Sequence, residues 1–443
     1  MIKRVLRLLL YQLDKSWKDP VVHVESDRRD EDGLIALSMY YFLQIFLYQI
    51  ASDSIELIDG ISGDDKKNIQ YIQILGTVIG AAIGAMILLR RRSNKSEERD
   101  SIRILLQMYA IPLALSALAL SAKPWLGLEL EVALWVAYAA KFFFGIGWSV
   151  GIGCIIIWVC EYLPQFLRTS GAVFVGCVGF LGGALANCIS FLLLGNEKNW
   201  MPVASFLICI GFLSLWRRLP DDSQLNYAYK HRSYHNEHRP LDFKSWFYGG
   251  IKKLIRSLVH DRTYRKLVVY SLIIGMGVQY YVKFVYYLDK MPREAMIGPV
   301  SPQEFPKITF DILTNQFWSL KVGEYKGLPQ FFKMIRYAGM IFGGIILLNL
   351  SWWYAQGRNW LFNKRLPLIT TVLIIQLILL LTIWHTQPKE VWINAFWALA
   401  IGVTCGVWPL CILAVAEQFS LRDRPIWVIL APNAYRTADI FLL

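Results

Sequence analysis

"KFFFGIGWSVGIGCIIIWVCEYLPQFLR", residues 141–168, sets one lysine in an apolar run with four glycines and closes on Glu161, Pro164 and Arg168. A hydrocarbon core of about 30 Å takes about 20 apolar residues as helix. A span beginning at Glu131 places Lys141 ten residues in, about 15 Å at about 1.5 Å per residue. A charge at that depth costs about 2.5–3.5 kcal/mol on the insertion scale. Lys141 therefore faces a cavity or a partner: a solute is the first reading, a buried ion pair the alternative. The glycines at 145, 147, 151 and 153 let a neighbouring helix approach closely. A second set, Gly171, Gly176, Gly179, Gly182 and Gly183, marks the next apolar run in the same way.

Similar runs recur along the chain. Its 443 residues are 55% hydrophobic and 14% aromatic, too apolar for a soluble protein of this size. Spans are predicted at 34–55, 69–89, 102–121, 131–160, 171–194, 200–216, 267–288, 331–354, 366–385 and 391–416, with an incomplete one at 425–443. The fold class is an all-α membrane protein of two helical bundles. The division is a segment at 1–33, a six-helix bundle at 34–216, a basic linker at 217–266 and a second bundle at 267–443. "RRRSNKSEER", "GRNWLFNKR", "SLRDR" and the linker place Lys and Arg on one side of the membrane, while "ELIDGISGDDKK" falls on the other. That asymmetry predicts a multi-pass protein with a cytoplasmic N-terminus, in a plasma or inner membrane, an organellar one being the alternative. It also accounts for the net charge of +13 without nucleic acid as a partner.

The linker's "FKSWFYGGIKKLIRSLV" reads as an amphipathic helix on the membrane surface. Its histidines, three of them in "HRSYHNEH", read as a solvated loop rather than a metal site. The basic N-terminal "MIKRVLRLLLYQLDKSWKD" is read as an interfacial helix, with an organellar targeting segment as the alternative. All seven cysteines fall in apolar runs without C-x-x-C spacing and read as small buried hydrophobes.

The two halves repeat one signature. The fourth run ends "EYLPQFLR" and the tenth "EQFSLRDR", so Glu161 and Arg168 stand seven apart, as do Glu417 and Arg424. Paired halves of this kind place a substrate site between them. The fourth-run residues Lys141, Gly145, Gly147, Glu161, Pro164 and Arg168 resemble the major facilitator superfamily, in its sugar-porter and organic-ion branch. That branch shows a basic residue, glycines four and six later, and then E-x-x-P-x-x-x-R-G. Pro409, Glu417, Phe419, Leu421, Arg422 and Arg424 are similar to the branch's second-half pattern, and Tyr286–Tyr287 to a tyrosine pair of the sugar porters. Departures are Leu88 at the aspartate's place in the loop after the second span, Thr169 for glycine and Ser420 for proline. The resemblance implies twelve spans, of which this sequence carries eleven, the last incomplete.

The resemblance implies a transporter of a small polar solute, a sugar or an organic anion, working by alternating access. Glu161, Arg168, Glu417, Arg422 and Arg424 are then gating charges that pair across the halves. Substrate-binding candidates are Lys141, Gln44, Tyr48, Gln279, Asn394 and Trp408, all polar or aromatic groups within spans. Asp53 and Lys283 lie near span ends, where a charge snorkels. No P-loop, H-E-x-x-H or G-x-S-x-G occurs, so neither an enzyme nor a cofactor is expected. The alternative function is a transporter-like receptor, or a structural subunit with membrane-protein partners.

Overall fold

The computed structural model describes residues 28–57, 62–93, 101–122, 127, 129–163, 165–193, 197–220, 328–355, 365–386 and 390–418, with Arg265, Arg424, Val428, Ile429 and Asn433 singly. The N-terminal helix expected before residue 28, the linker helix, and the runs at 267–288 and most of 425–443 lie outside the described residues.

The remaining predicted spans are all helices: α1 Arg28–Asp53, α2 Gly63–Ser93, α3 Ser101–Ala122, α4 Leu130–Trp148, α5 Gly151–Tyr162, α6 Gln165–Leu192 and α7 Glu197–Leu215 in the first half. The second half contributes α8 Leu328–Ala355, α9 Arg365–Thr386, α10 Val391–Cys405 and α11 Trp408–Gln418. Among the described residues, seven stretches are long and apolar enough to cross a membrane, and Asn199–Leu215 and Leu368–Ile383 are shorter apolar helices.

Helix starts follow local chemistry rather than the edge of the apolar run. Ser62 Oγ accepts from the Asp65 amide at 3.0 Å and donates to the Asp65 carboxylate at 2.6 Å. This Ser62 N-cap, with Asp64 and Asp65 against the positive end of the helix dipole, starts α2 six residues before its expected position.

The fourth and tenth runs are each broken near the middle. Between α4 and α5 the chain bends at Ser149–Val150, and between α10 and α11 at Gly406–Val407. Pro409 explains the second break, because it lacks the amide that would bond the Cys405 carbonyl. The first has no proline; its freed carbonyls are taken by side chains. Gln44 Nε2 donates to Trp148 O at 3.0 Å, and Asn433 Nδ2 to Ser149 O at 3.0 Å.

Within the first half, α2 and α4 meet through glycine. A side chain at Gly145 would collide with the Gln73 carbonyl and sit 2.8 Å from the Thr77 amide, and one at Gly76 would collide with Phe142 O. The halves meet along α6 and α8, where Phe191 and Phe331 rings lie 5.4 Å apart and Cys177 Sγ donates to Ile341 O at 3.7 Å. Leu88, at the aspartate's place in the branch pattern, is fully buried.

Candidate functional site

α5 and α11 finish at one end of the bundle, and four charges converge there. Arg424 Nη1 lies 3.5 Å from Glu161 Oε1, and Arg168 Nη1 lies 4.0 Å from Glu417 Oε1. Each pair joins an arginine of one half to the glutamate of the other. The arginines also hold backbone: Arg168 Nε donates to Leu163 O at 3.1 Å and Arg424 Nε to Ala416 O at 2.8 Å. Those carbonyls belong to helix C-termini, where a cation is favoured. The Glu161–Arg424 pair is the deeper one, its side chains 2% and 8% exposed against 19% and 23% for Arg168 and Glu417. Arg422 lies outside the described residues.

Toward the middle the halves touch directly. A side chain at Gly153 on α5 would meet the Ile429 Cα and the Val428 carbonyl, both at 3.0 Å. Gly176 on α6 faces the Pro409 ring in the same manner. Gln44 and Tyr48 of α1 line the bend of the fourth run: the Tyr48 ring lies tilted 4.7 Å from Trp148 and 6.2 Å from Phe144. Lys141 is nearly fully buried in the α2–α4 seam. Its Nζ donates to Gln73 Oε1 at 3.3 Å and lies 5.5 Å from the Phe144 ring centre. Asn394 is buried one turn into α10 and donates to Glu390 O at 3.0 Å, while Trp408 begins α11 beside the second break. Gln44 and Tyr48 of α1 thus neighbour α4, the helix that carries Lys141, and Asn394 and Trp408 stand at separate levels of the second half. Gln279 lies outside the described residues.

The opposite end holds groups that the sequence reading placed differently or passed over. Asp53, expected to snorkel at a span end, is buried. It pairs with Lys333 of α8 at 3.2 Å and accepts from Gln49 at 3.0 Å and Ser190 at 3.4 Å. Burial is possible only because the other half supplies the counter-charge. Arg336, one turn further along α8, is 7% exposed. Among the described residues its Nε and Nη1 have no hydrogen-bond partner, and its guanidinium lies 5.5 Å from the Tyr337 ring centre. The signal for it was in the sequence: it is a cation inside an apolar run, the same pattern that drew attention to Lys141.

Solved structures of one kind align with this helical architecture. The major facilitator proton:xylose symporter XylE bound to 6-bromo-6-deoxy-D-glucose aligns over 93% of this chain and 88% of its own, with a TM-score of 0.58 and 15% identity. FucP, a major facilitator transporter in the outward conformation, aligns over 92% and 89%, with a TM-score of 0.59 and 11% identity. The partially occluded inward-open xylose transporter XylE from E. coli aligns over 94% and 90%, with a TM-score of 0.52 and 15% identity.

The chain has the major facilitator fold. No family model and no curated protein matches its sequence. An ion pair joins the two halves at each end of their interface, Glu161–Arg424 at one and Asp53–Lys333 at the other.

Proposed function

We propose that the protein is a secondary transporter that moves a small polar solute by alternating access, with its N-terminus and the Glu161 end on the cytoplasmic side. The observation that carries this reading is the crossed pair Glu161–Arg424 and Arg168–Glu417. A structural subunit needs no reciprocal charge exchange between its two halves. A transporter needs contacts at one mouth that break when the halves rock and re-form when they return. The similarity in structure to a proton:xylose symporter supports the polar solute.

The proposed solute contacts are Gln44, Tyr48, Gln279, Asn394 and Trp408, with Lys141 as the basic group of the first half. Gln44 and Tyr48 sit at the bend of the fourth run, so solute contact there acts directly on the α4–α5 joint. The proposed gating charges are Glu161, Arg168, Glu417, Arg422 and Arg424.

Uptake and counterflow in vesicles reconstituted with the purified chain test this proposal. Accelerated exchange of one sugar or organic anion, abolished by Glu161→Arg and recovered by the Glu161→Arg/Arg424→Glu exchange, is the expected result. Vesicles that exchange no member of such a panel, together with a stably co-purifying membrane partner, would replace transport by the subunit reading.

A further inference from the structure

We propose that Arg336 is the recognition group for an anionic moiety, a carboxylate or a phosphate, on the solute that this fold carries. The proposal rests on the transport reading and names the substrate class within it.

The direction in which Arg336 points follows from its neighbours on α8. Gly339 and Gly343 sit against the backbone of Leu399, Gly402 and Val403 on α10. Tyr337 and Gly344 sit against Gly183 and Cys177 on α6, in the other half. At about 100° per residue, Arg336 falls between these two seams. Its side chain is therefore directed into the wedge where the halves meet. Lys333 gives an independent check. It lies one turn earlier on the same face and reaches across to Asp53 of α1.

Arg336 is eight residues into α8, about 12 Å from its start. A charge at that depth is held by a partner of opposite sign or by a polar path. Arg336 has neither among the described residues: Nε and Nη1 bond to nothing, and the ring of Tyr337 is a weak substitute for an anion. Asp53, the buried acid on this side of the interface, already serves Lys333, Gln49 and Ser190. Neutral hydroxyls would bond the free N–H groups but leave the charge uncompensated. A carboxylate or phosphate satisfies both, in the planar geometry that a guanidinium favours. Because Arg336 stands between the seam with α10 and the seam with α6, an anion held there lies beside the interface of the halves.

The test uses the full chain, purified in detergent, with gluconate, citrate, inorganic phosphate and glucose as probes of thermal stability. At least one of the anions should raise the Tm of the wild type, and glucose should not. Citrate or gluconate acting without phosphate assigns the site to carboxylates, and the reverse to phosphate. Arg336→Gln should abolish the anion's effect and raise the unliganded Tm, because it removes an uncompensated buried charge. Arg336→Lys should keep a weaker anion response, and it decides the matter if the glutamine variant aggregates. The proposal is overturned if no anion shifts the wild type, if either variant responds as fully as the wild type, or if Arg336→Gln lowers the unliganded Tm. Counterflow separates this failure from that of the transport reading. Anion binding lost in Arg336→Gln, in a chain whose vesicles show no exchange, keeps the anion site and removes transport. Exchange of a neutral solute unaffected by Arg336→Gln keeps transport and removes the anion site.

Discussion

Arg424 crosses from the second half to place Nη1 3.5 Å from Glu161 Oε1, both side chains at most 8% exposed. The companion pair, Arg168 with Glu417, is 4.0 Å apart and about a fifth exposed on each side. Magnitudes separate the two. Removing one partner of a buried pair costs about 3–5 kcal/mol, whereas an exposed pair contributes about 0–1 kcal/mol. Glu161→Gln should therefore open this end of the bundle, and Glu417→Gln should do so only weakly. Cys160, buried and next to Glu161 in the chain, and Cys411, buried six residues before Glu417 on α11, report the change. Maleimide labelling of the two, resolved by peptide mass spectrometry, should rise strongly in Glu161→Gln and little in Glu417→Gln. Equal labelling in the two variants would mean that burial does not set the strength of the gate.

Two glycines make opposite predictions because their partners differ. Gly145 faces α2 within its own half, where a side chain meets the Gln73 carbonyl and the Thr77 amide. Both contacts are backbone and neither can turn aside. Gly145→Val should destabilise the first half, lowering the yield of monodisperse protein and its Tm, since overpacking costs about 1–3 kcal/mol or more. Gly153 faces Val428 and Ile429 of the other half, at 3.0 Å. The halves can part there without unfolding. Gly153→Val should leave Tm within a few degrees of wild type while raising Cys160 labelling and blocking exchange. A large loss of folded Gly153→Val protein would contradict a separable interface.

The spans were legible because a stretch of apolar residues long enough for a bilayer is a strong signal, and the paired Glu and Arg spacing exposed the repeat. Other features depend on partners remote in sequence. Asp53 lies near a span end, where a charge ordinarily snorkels; only Lys333, 280 positions away, makes its burial favourable. The break at Ser149–Val150 carries no proline, and its glycines serve equally for helix packing. What stabilises it are donors from Gln44 and Asn433, which no local pattern links to residue 149. Lys141 was legible as a buried cation, but not that Gln73 on α2 would accept its hydrogen bond.

The Asp53–Lys333 pair joins the halves at the end away from Glu161, and its strength is open to a double-mutant cycle. Asp53 is 6% exposed and the Lys333 side chain 23%, so the pair stands between the surface and buried cases. Asp53→Asn leaves a cation facing an amide, and Lys333→Met leaves a carboxylate supported by Gln49 and Ser190 among the described residues. Each should lower Tm, and the double variant should be less destabilised than the sum, with a coupling of about 0.5–3 kcal/mol. Strict additivity would show that the two charges do not stabilise each other across the interface.

Lys141 tests whether a basic group in the α2–α4 seam acts on solute or on packing. The amine rests on Gln73 Oε1 at 3.3 Å and near the Phe144 ring. As a proposed solute contact, Lys141→Ala should raise KM by about tenfold, equivalent to about 1.4 kcal/mol, with kcat little changed. Gln73→Leu removes the group that aims the amine, and it should raise KM in the same direction by a smaller factor. Gln73 acts here as a positioning residue, and the split between KM and kcat distinguishes that from a packing role. If both variants lower Tm while the KM of the remaining folded protein is unchanged, Lys141 belongs to the seam, and solute recognition falls to Gln44, Tyr48 and the second-half residues.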